Sequence, residues 1–118
     1  MQGNDTINIR DAKYQSELPD KLRGLSLLGD YQGTLYIGSE CGDEVFPDTI
    51  VFGYSPADNA ITGSVRIMDS GCPESWTQKD NLLYVGTRFG DVTAIDMQDC
   101  QEAGRIEDLG NVLGLPLL

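Results

Sequence analysis

The sequence predicts an all-β protein built from two related four-stranded antiparallel units. Three observations lead there: a nine-residue string that recurs, a period-two alternation of apolar residues inside it, and turn-forming residues closing each apolar run. The string LYIGSECGD, Leu35 to Asp43, returns as LYVGTRFGD, Leu83 to Asp91, at an offset of 48 residues. Leu, Tyr, both Gly and Asp are identical, and Ile/Val and Ser/Thr are conservative changes. Leu35 and Ile37 point to one face and Tyr36 to the other, as a strand requires.

Taken in order, TINIRD near the start is a candidate stray strand. SELPDKLRGLSLLG reads two ways: LSLL suits an opening strand, whereas Leu18, Leu22 and Leu25 recur at helical spacing with Ser16 able to cap. A short helix near residues 17–28 therefore makes α+β the alternative class. The first copy of the string follows, with Gly42 supplying its turn, and then a hairpin, TIVFGYSPADNAITGSVRI, closed by SPADNA. MDSGCPESWTQKDN joins the copies, and its SWTQ opens the second unit as a strand. The second copy turns at Gly90 and continues into VTAIDMQDCQEAGRI, a hairpin closed by MQDCQ. Both units end on Arg-Ile, at Arg66-Ile67 and Arg105-Ile106. The expectation is one domain over 1–118, with units of about 22–70 and 74–110.

A unit of about 40 to 48 residues with four short strands has the period of a propeller blade. Leu82 to Ile106, LLYVGTRFGDVTAIDMQDCQEAGRI, resembles a blade of the pyrroloquinoline-quinone-like (quinoprotein-type) β-propeller repeat through Tyr84, Val85, Gly86, Gly90, Ala94 and Asp96. It departs from that repeat where the Thr-Gly turn is Asp99-Cys100 and where the docking tryptophan falls at Gly104. The resemblance implies a blade-like fold and a scaffold role, and it carries over neither a quinone cofactor nor a dehydrogenase activity. A closed propeller needs roughly four to eight blades, and two are present. Three arrangements follow: chains that share blades in a ring, a piece of a longer protein, or two units closing as a small sandwich or barrel.

Composition narrows the function. Eight basic and nineteen acidic residues give a net charge of −11, which repels nucleic-acid backbones and anionic membranes. No apolar run approaches the roughly 20 residues of a membrane helix, and MQGNDTINIRD lacks a secretory pattern, so the expected compartment is the cytoplasm. Cys41, Cys72 and Cys100 have neither disulfide-framework nor zinc spacing. Three free thiols are expected, with a Cys41–Cys100 or Cys72–Cys100 bridge also compatible with the spacing.

Histidine is absent, which removes the Ser-His-Asp and Cys-His arrangements and the common zinc sets. No phosphate-cradling glycine motif occurs. Glu40, Asp43, Glu44 and Asp48 cluster in SECGDEVFPD, but the alternation of a calcium loop is missing, so a solvated acidic loop is expected there. Carboxylate-based hydrolysis at Glu40, Asp43 and Glu44 is the enzymatic alternative. No cofactor is called for.

Tyr36, Tyr84, Phe46, Phe52 and Phe89 lie in or beside predicted strands and are expected to pack in the core or on a sheet. Tyr31, Tyr54 and Trp76 are the candidate ligand-binding residues, because sugars stack on such rings. The chain closes on NVLGLPLL, and an uncharged end of this kind is expected to be buried. Val112, Leu113, Leu115, Leu117 and Leu118 are the candidate interface, either as a strand added to the chain's own sheet or across a subunit boundary. The expected function is a non-enzymatic interaction or assembly module whose partner is a second copy or another protein. The alternative is a small-ligand or carbohydrate-binding β domain.

Overall fold

The computed structural model describes residues 12–14, 18–19, 21–68, 70–88 and 90–106. Its strands are β1 (Lys13–Tyr14), β2 (Leu22–Tyr31), β3 (Thr34–Gly42), β4 (Pro47–Ser55), β5 (Ala60–Ile67), β6 (Pro73–Lys79), β7 (Leu82–Thr87), β8 (Val92–Asp96) and β9 (Gln101–Ile106). The protein is all-β: there is no helix among the described residues and no closed barrel. β2 to β5 form one antiparallel meander and β6 to β9 a second, and β1 adds a two-residue parallel edge to β5. The expected stray strand TINIRD and the apolar end from Val112 to Leu118 lie outside the described residues.

The helical alternative is corrected over its described part, because Leu22 to Leu28 is extended. Gly24 takes φ +68° and the pairing with β3 shifts register between Arg23 and Ser26, so the leucine spacing reflects a bulge rather than a helical turn. The other glycine expectations hold, with Gly42 at φ +82° and Gly90 at φ +89° in sister positions. The hairpin turns fall at Pro56–Asn59 and Met97–Cys100, each ending in a left-handed residue, Asn59 at φ 48° and Cys100 at φ 54°.

The recurring string has the same pairing in both sheets. Leu35 faces Tyr54 and Tyr36 faces Gly53 in the first; Leu83 faces Ile95 and Tyr84 faces Ala94 in the second. Each unit therefore has a leucine face, carrying Leu35 and Ile37 or Leu83 and Val85, and a tyrosine face, carrying Tyr36 or Tyr84. The main core joins unlike faces. Leu28, Tyr36, Val51, Val65 and Ile67 from the first sheet's tyrosine face pack with Leu83, Val85, Ile95 and Met97 from the second sheet's leucine face. Burying one such aliphatic side chain contributes about 1.5–3 kcal/mol.

Polar contacts fix the alignment of that stack. Gln78 on β6 meets the backbone of Asp30 on β2, donating to its carbonyl at 2.6 Å and accepting from its N–H at 3.2 Å, as a neighbouring strand would. Gly29 and Gly63 make the close approach feasible, since a side chain at either would meet Gln78 or Cys100. The connection between the sheets is tied to β4: Thr49 donates to the carbonyl of Gly71 at 2.6 Å, and Ser70 accepts from the Thr49 N–H at 3.0 Å.

Beside the hairpin turns at one end of the stack, the buried hydroxyl of Tyr36 donates to the carbonyl of Met97. Burial pushes this hydroxyl up from its ordinary value of 10.0 to about 12. A folded-state value above the unfolded one means that the contribution is intact below pH 10 and fades as the pH rises from 10 towards 12. Tyr36→Phe leaves the Met97 carbonyl without this donor and is expected to lower stability by about 1 kcal/mol at neutral pH. Urea denaturation of the two proteins should show that difference shrinking above pH 10.

Candidate interaction surface

Alternation along the second sheet leaves a face that an isolated sheet would be expected to make polar. Opposite Leu83, Val85 and Ile95 stand Leu82, Tyr84 and Gly86 on β7, paired with Asp96, Ala94 and Val92 on β8. Gly104 and Ile106 on β9 continue the rows of Ala94 and Val92, and Thr77 and Ser75 on β6 continue those of Tyr84 and Gly86. Lys79 and Asp96 bring charge only to the Leu82 row at one end. This is the tyrosine face of the second unit. None of its residues belongs to either core cluster, and no described strand lies over it. Its middle is flat: a Cβ built on Gly104 meets nothing within 4 Å, and Ile106 beside it is 54% exposed.

The first unit's leucine face is at the other end of the stack. Phe52, Tyr54 and Ile61 are buried there with Ala12, and Leu18, Leu22, Leu35 and Ile37 pack around them. Ala12 precedes β1, which lies on the β5 edge. Towards the opposite edge, Leu27 pairs with Ile37 and is 60% exposed.

The candidate ligand-binding aromatics fall in different places. Tyr31 packs against the inter-sheet core and lines an open cleft of about 250 Å³ between hairpin turns, together with Gln32, Tyr36, Thr62, Asp99 and Cys100. Tyr54 belongs to the second cluster, and its hydroxyl donates to Asn59 Oδ1 at 2.8 Å. Trp76, on the edge strand β6 and paired with Val85, does not line that cleft. Tyr36 and Phe52 are buried as expected, but Phe46 is 65% exposed, because it sits in the turn between β3 and β4 rather than in a strand. Phe89 and the candidate interface residues Val112, Leu113, Leu115, Leu117 and Leu118 lie outside the described residues.

The expected solvated acidic loop holds only for Asp43 and Glu44, because Glu40 lies in β3 and Asp48 is buried in β4, and the four carboxylates are drawn onto separate partners. Glu40 accepts from Arg23 Nε at 3.1 Å, Asp48 pairs with Arg66 at 2.8 Å, Glu44 lies 3.9 Å from Lys21, and Asp43 accepts from the Val45 N–H at 2.7 Å. Among the described residues, no group of three or more Asp, Glu or Cys could hold a metal ion. The second unit has a counterpart of the Arg66–Asp48 pair in Arg105 and Asp91, at 3.5 Å. All three cysteines are free, and burial pushes the thiols of Cys41 and Cys100 up. No described helix is long and apolar enough to cross a membrane.

Neither a scan of protein-family models nor a search of curated proteins finds a match to this chain.

Of the unassigned residues on this face, Leu82 carries a signal in the sequence, together with its neighbours Tyr84 and Gly86. LLYVGT is apolar at alternate positions of both faces, so neither face is built for water. One stability test probes the start of β4 separately. Asp48 is buried with its carboxylate on Arg66, so Asp48→Asn should lower stability by about 1–2 kcal/mol, read as a lower urea midpoint.

Proposed function

We propose that this protein is a non-enzymatic assembly module, a scaffold of two propeller-blade-like units that docks a protein partner on the tyrosine face of its second sheet. The observation that carries this reading is the face of Leu82, Tyr84, Gly86, Val92, Ala94, Gly104 and Ile106, uncharged across its middle and in neither core cluster, with Gly104 and Ile106 exposed and the others half-buried. A sheet face of this composition is buried most favourably against another apolar layer. The resemblance of Leu82 to Ile106 to a propeller repeat supports the same reading, since blades of that kind act by packing on one another.

Small-ligand binding is the second reading, and the cleft lined by Tyr31 favours it, although Tyr54 and Trp76 do not line that cleft. A panel of soluble glycans that raised the melting temperature would move the functional site there.

The assembly reading is tested by light scattering of the full chain over a range of concentrations. The unaltered protein is expected to form species heavier than one chain. Ala94→Arg, which places a cation in the middle of the face, should return it to single-chain mass with its fold intact. Equal masses for both proteins at every concentration would contradict the reading.

A further inference from the structure

We infer that the cleft between the β2–β3 turn and the β8–β9 turn binds a small organic ammonium ion, held on the ring of Tyr31 with its charge against the carboxylate of Asp99. The cleft shares no lining residue with the tyrosine face of the second sheet, so this inference goes beyond the assembly reading and stands or falls apart from it.

Two strand glycines make the floor of this cleft. Gly53 on β4 pairs with Tyr36 on one side and with Gly63 of β5 on the other. A Cβ at Gly53 would press on the Thr62 hydroxyl and lie 3.1 Å from the Thr34 methyl group and 3.3 Å from the Tyr36 ring, and one at Gly63 would lie 3.2 Å from Cys100 Sγ. Side chains from β3, β5 and the β8–β9 turn therefore converge on these two positions. Tyr31, half-buried at the end of β2, adds an accessible ring, and its hydroxyl accepts from the Gln32 amide at 3.4 Å. The cleft encloses about 250 Å³, less than the roughly 300–1,000 Å³ of a drug-sized site, which suits a ligand of a few carbon atoms.

The lining chooses the sign of the ligand. No described Lys or Arg lines the cleft, and Lys21, Arg23, Arg66, Arg88 and Arg105 are each paired with other carboxylates. Asp99 is exposed at the cleft and has no ion-pair partner among the described residues. Besides burial and the Cys100 thiol, the charges of Asp96 and Asp99 push the Tyr36 hydroxyl up, so both carboxylates act on the cleft floor. That field, added to a net charge of −11, repels anions. A hard metal ion wants several carboxylate oxygens, and no group of three ligating residues occurs among the described residues. An organic ammonium ion needs only one carboxylate and the face of an electron-rich ring, which Asp99 and Tyr31 supply.

The test titrates the full chain, labelled with nitrogen-15, with tetramethylammonium chloride and follows its backbone amides. Saturable shifts are expected at Gln32, Thr34, Thr62, Asp99 and Cys100, and sodium chloride at equal ionic strength should leave those amides in place. Asp99→Asn and Tyr31→Leu should each weaken binding about 3-fold or more, whereas Tyr31→Phe, which keeps the ring, should bind like the unaltered chain. Asp99 is exposed, so Asp99→Asn reads the charge even where Tyr31→Leu fails to fold. A free ion and the methylated end of a lysine side chain share this chemistry; choline and Nα-acetyl-trimethyllysine methylamide, titrated in the same way, tell the two sources apart by which binds more tightly. Shifts that never saturate, shifts that sodium chloride reproduces, or undiminished binding by Asp99→Asn would overturn the inference. Tighter binding of methyl glucoside than of tetramethylammonium would overturn it as well and give the cleft to a sugar.

Discussion

When the hydroxyl of Tyr36 donates to the carbonyl of Met97, the β2–β3 hairpin of the first sheet is tied to the turn that closes the last hairpin of the second. From this bond inward the aliphatic groups of the two sheets interlock, with Val51, Val65 and Ile67 on one side and Leu83, Val85 and Ile95 on the other. Burial of these side chains against one another is what holds the two sheets together. The contact also selects which face of each sheet is inside. A one-residue slip in β7 would present Tyr84 and Gly86 inward and carry Leu83 and Val85 to the surface.

Stacking unlike faces has a different consequence from pairing like ones. A two-layer sandwich that pairs like faces hides one kind of surface completely and can make the other polar. Here each interior face has a sister outside, built from the same recurring string and therefore with similar apolar content. The protein manages the two ends differently. On the first sheet, Ala12 and Leu18 join Phe52, Tyr54 and Ile61 in a second small core. On the second sheet, Ala94 and Gly104 lower the relief of the face without making it polar. Paired charges stay at the margins, as in Arg66–Asp48 and Arg105–Asp91.

Much of this was legible in the residues. The repeat, the strand alternation, both hairpin turns and the strand opening the second unit all follow from Gly, Pro, Asn and Asp placed between apolar runs. The Leu18–Leu22–Leu25 spacing misled because a bulge at Gly24 imitates a helical period when only sequence distance is counted. Phe46 misled because an aromatic beside a strand need not belong to it. Cys100 at positive φ was hidden as well, since its turn lacks the Asn or Gly that marks such a position. The open tyrosine face was written in the double apolar alternation of LLYVGT. Which of its two faces turns inward depends on contacts between residues far apart in the chain, such as Gln78 with Asp30, and no local pattern encodes those.

The most direct measurement is the set of methyl and ring contacts between the sheets in solution, read as nuclear Overhauser effects on selectively labelled protein. Stacking of unlike faces predicts cross-peaks from Val51 and Val65 to the methyl groups of Leu83, Val85 and Ile95, and from the Tyr36 ring to Met97. Cross-peaks from Val51 and Val65 to Tyr84 and Ala94 instead would mean that the second sheet presents its other face to the first. In that case the surface assigned to assembly would be the interior of the protein.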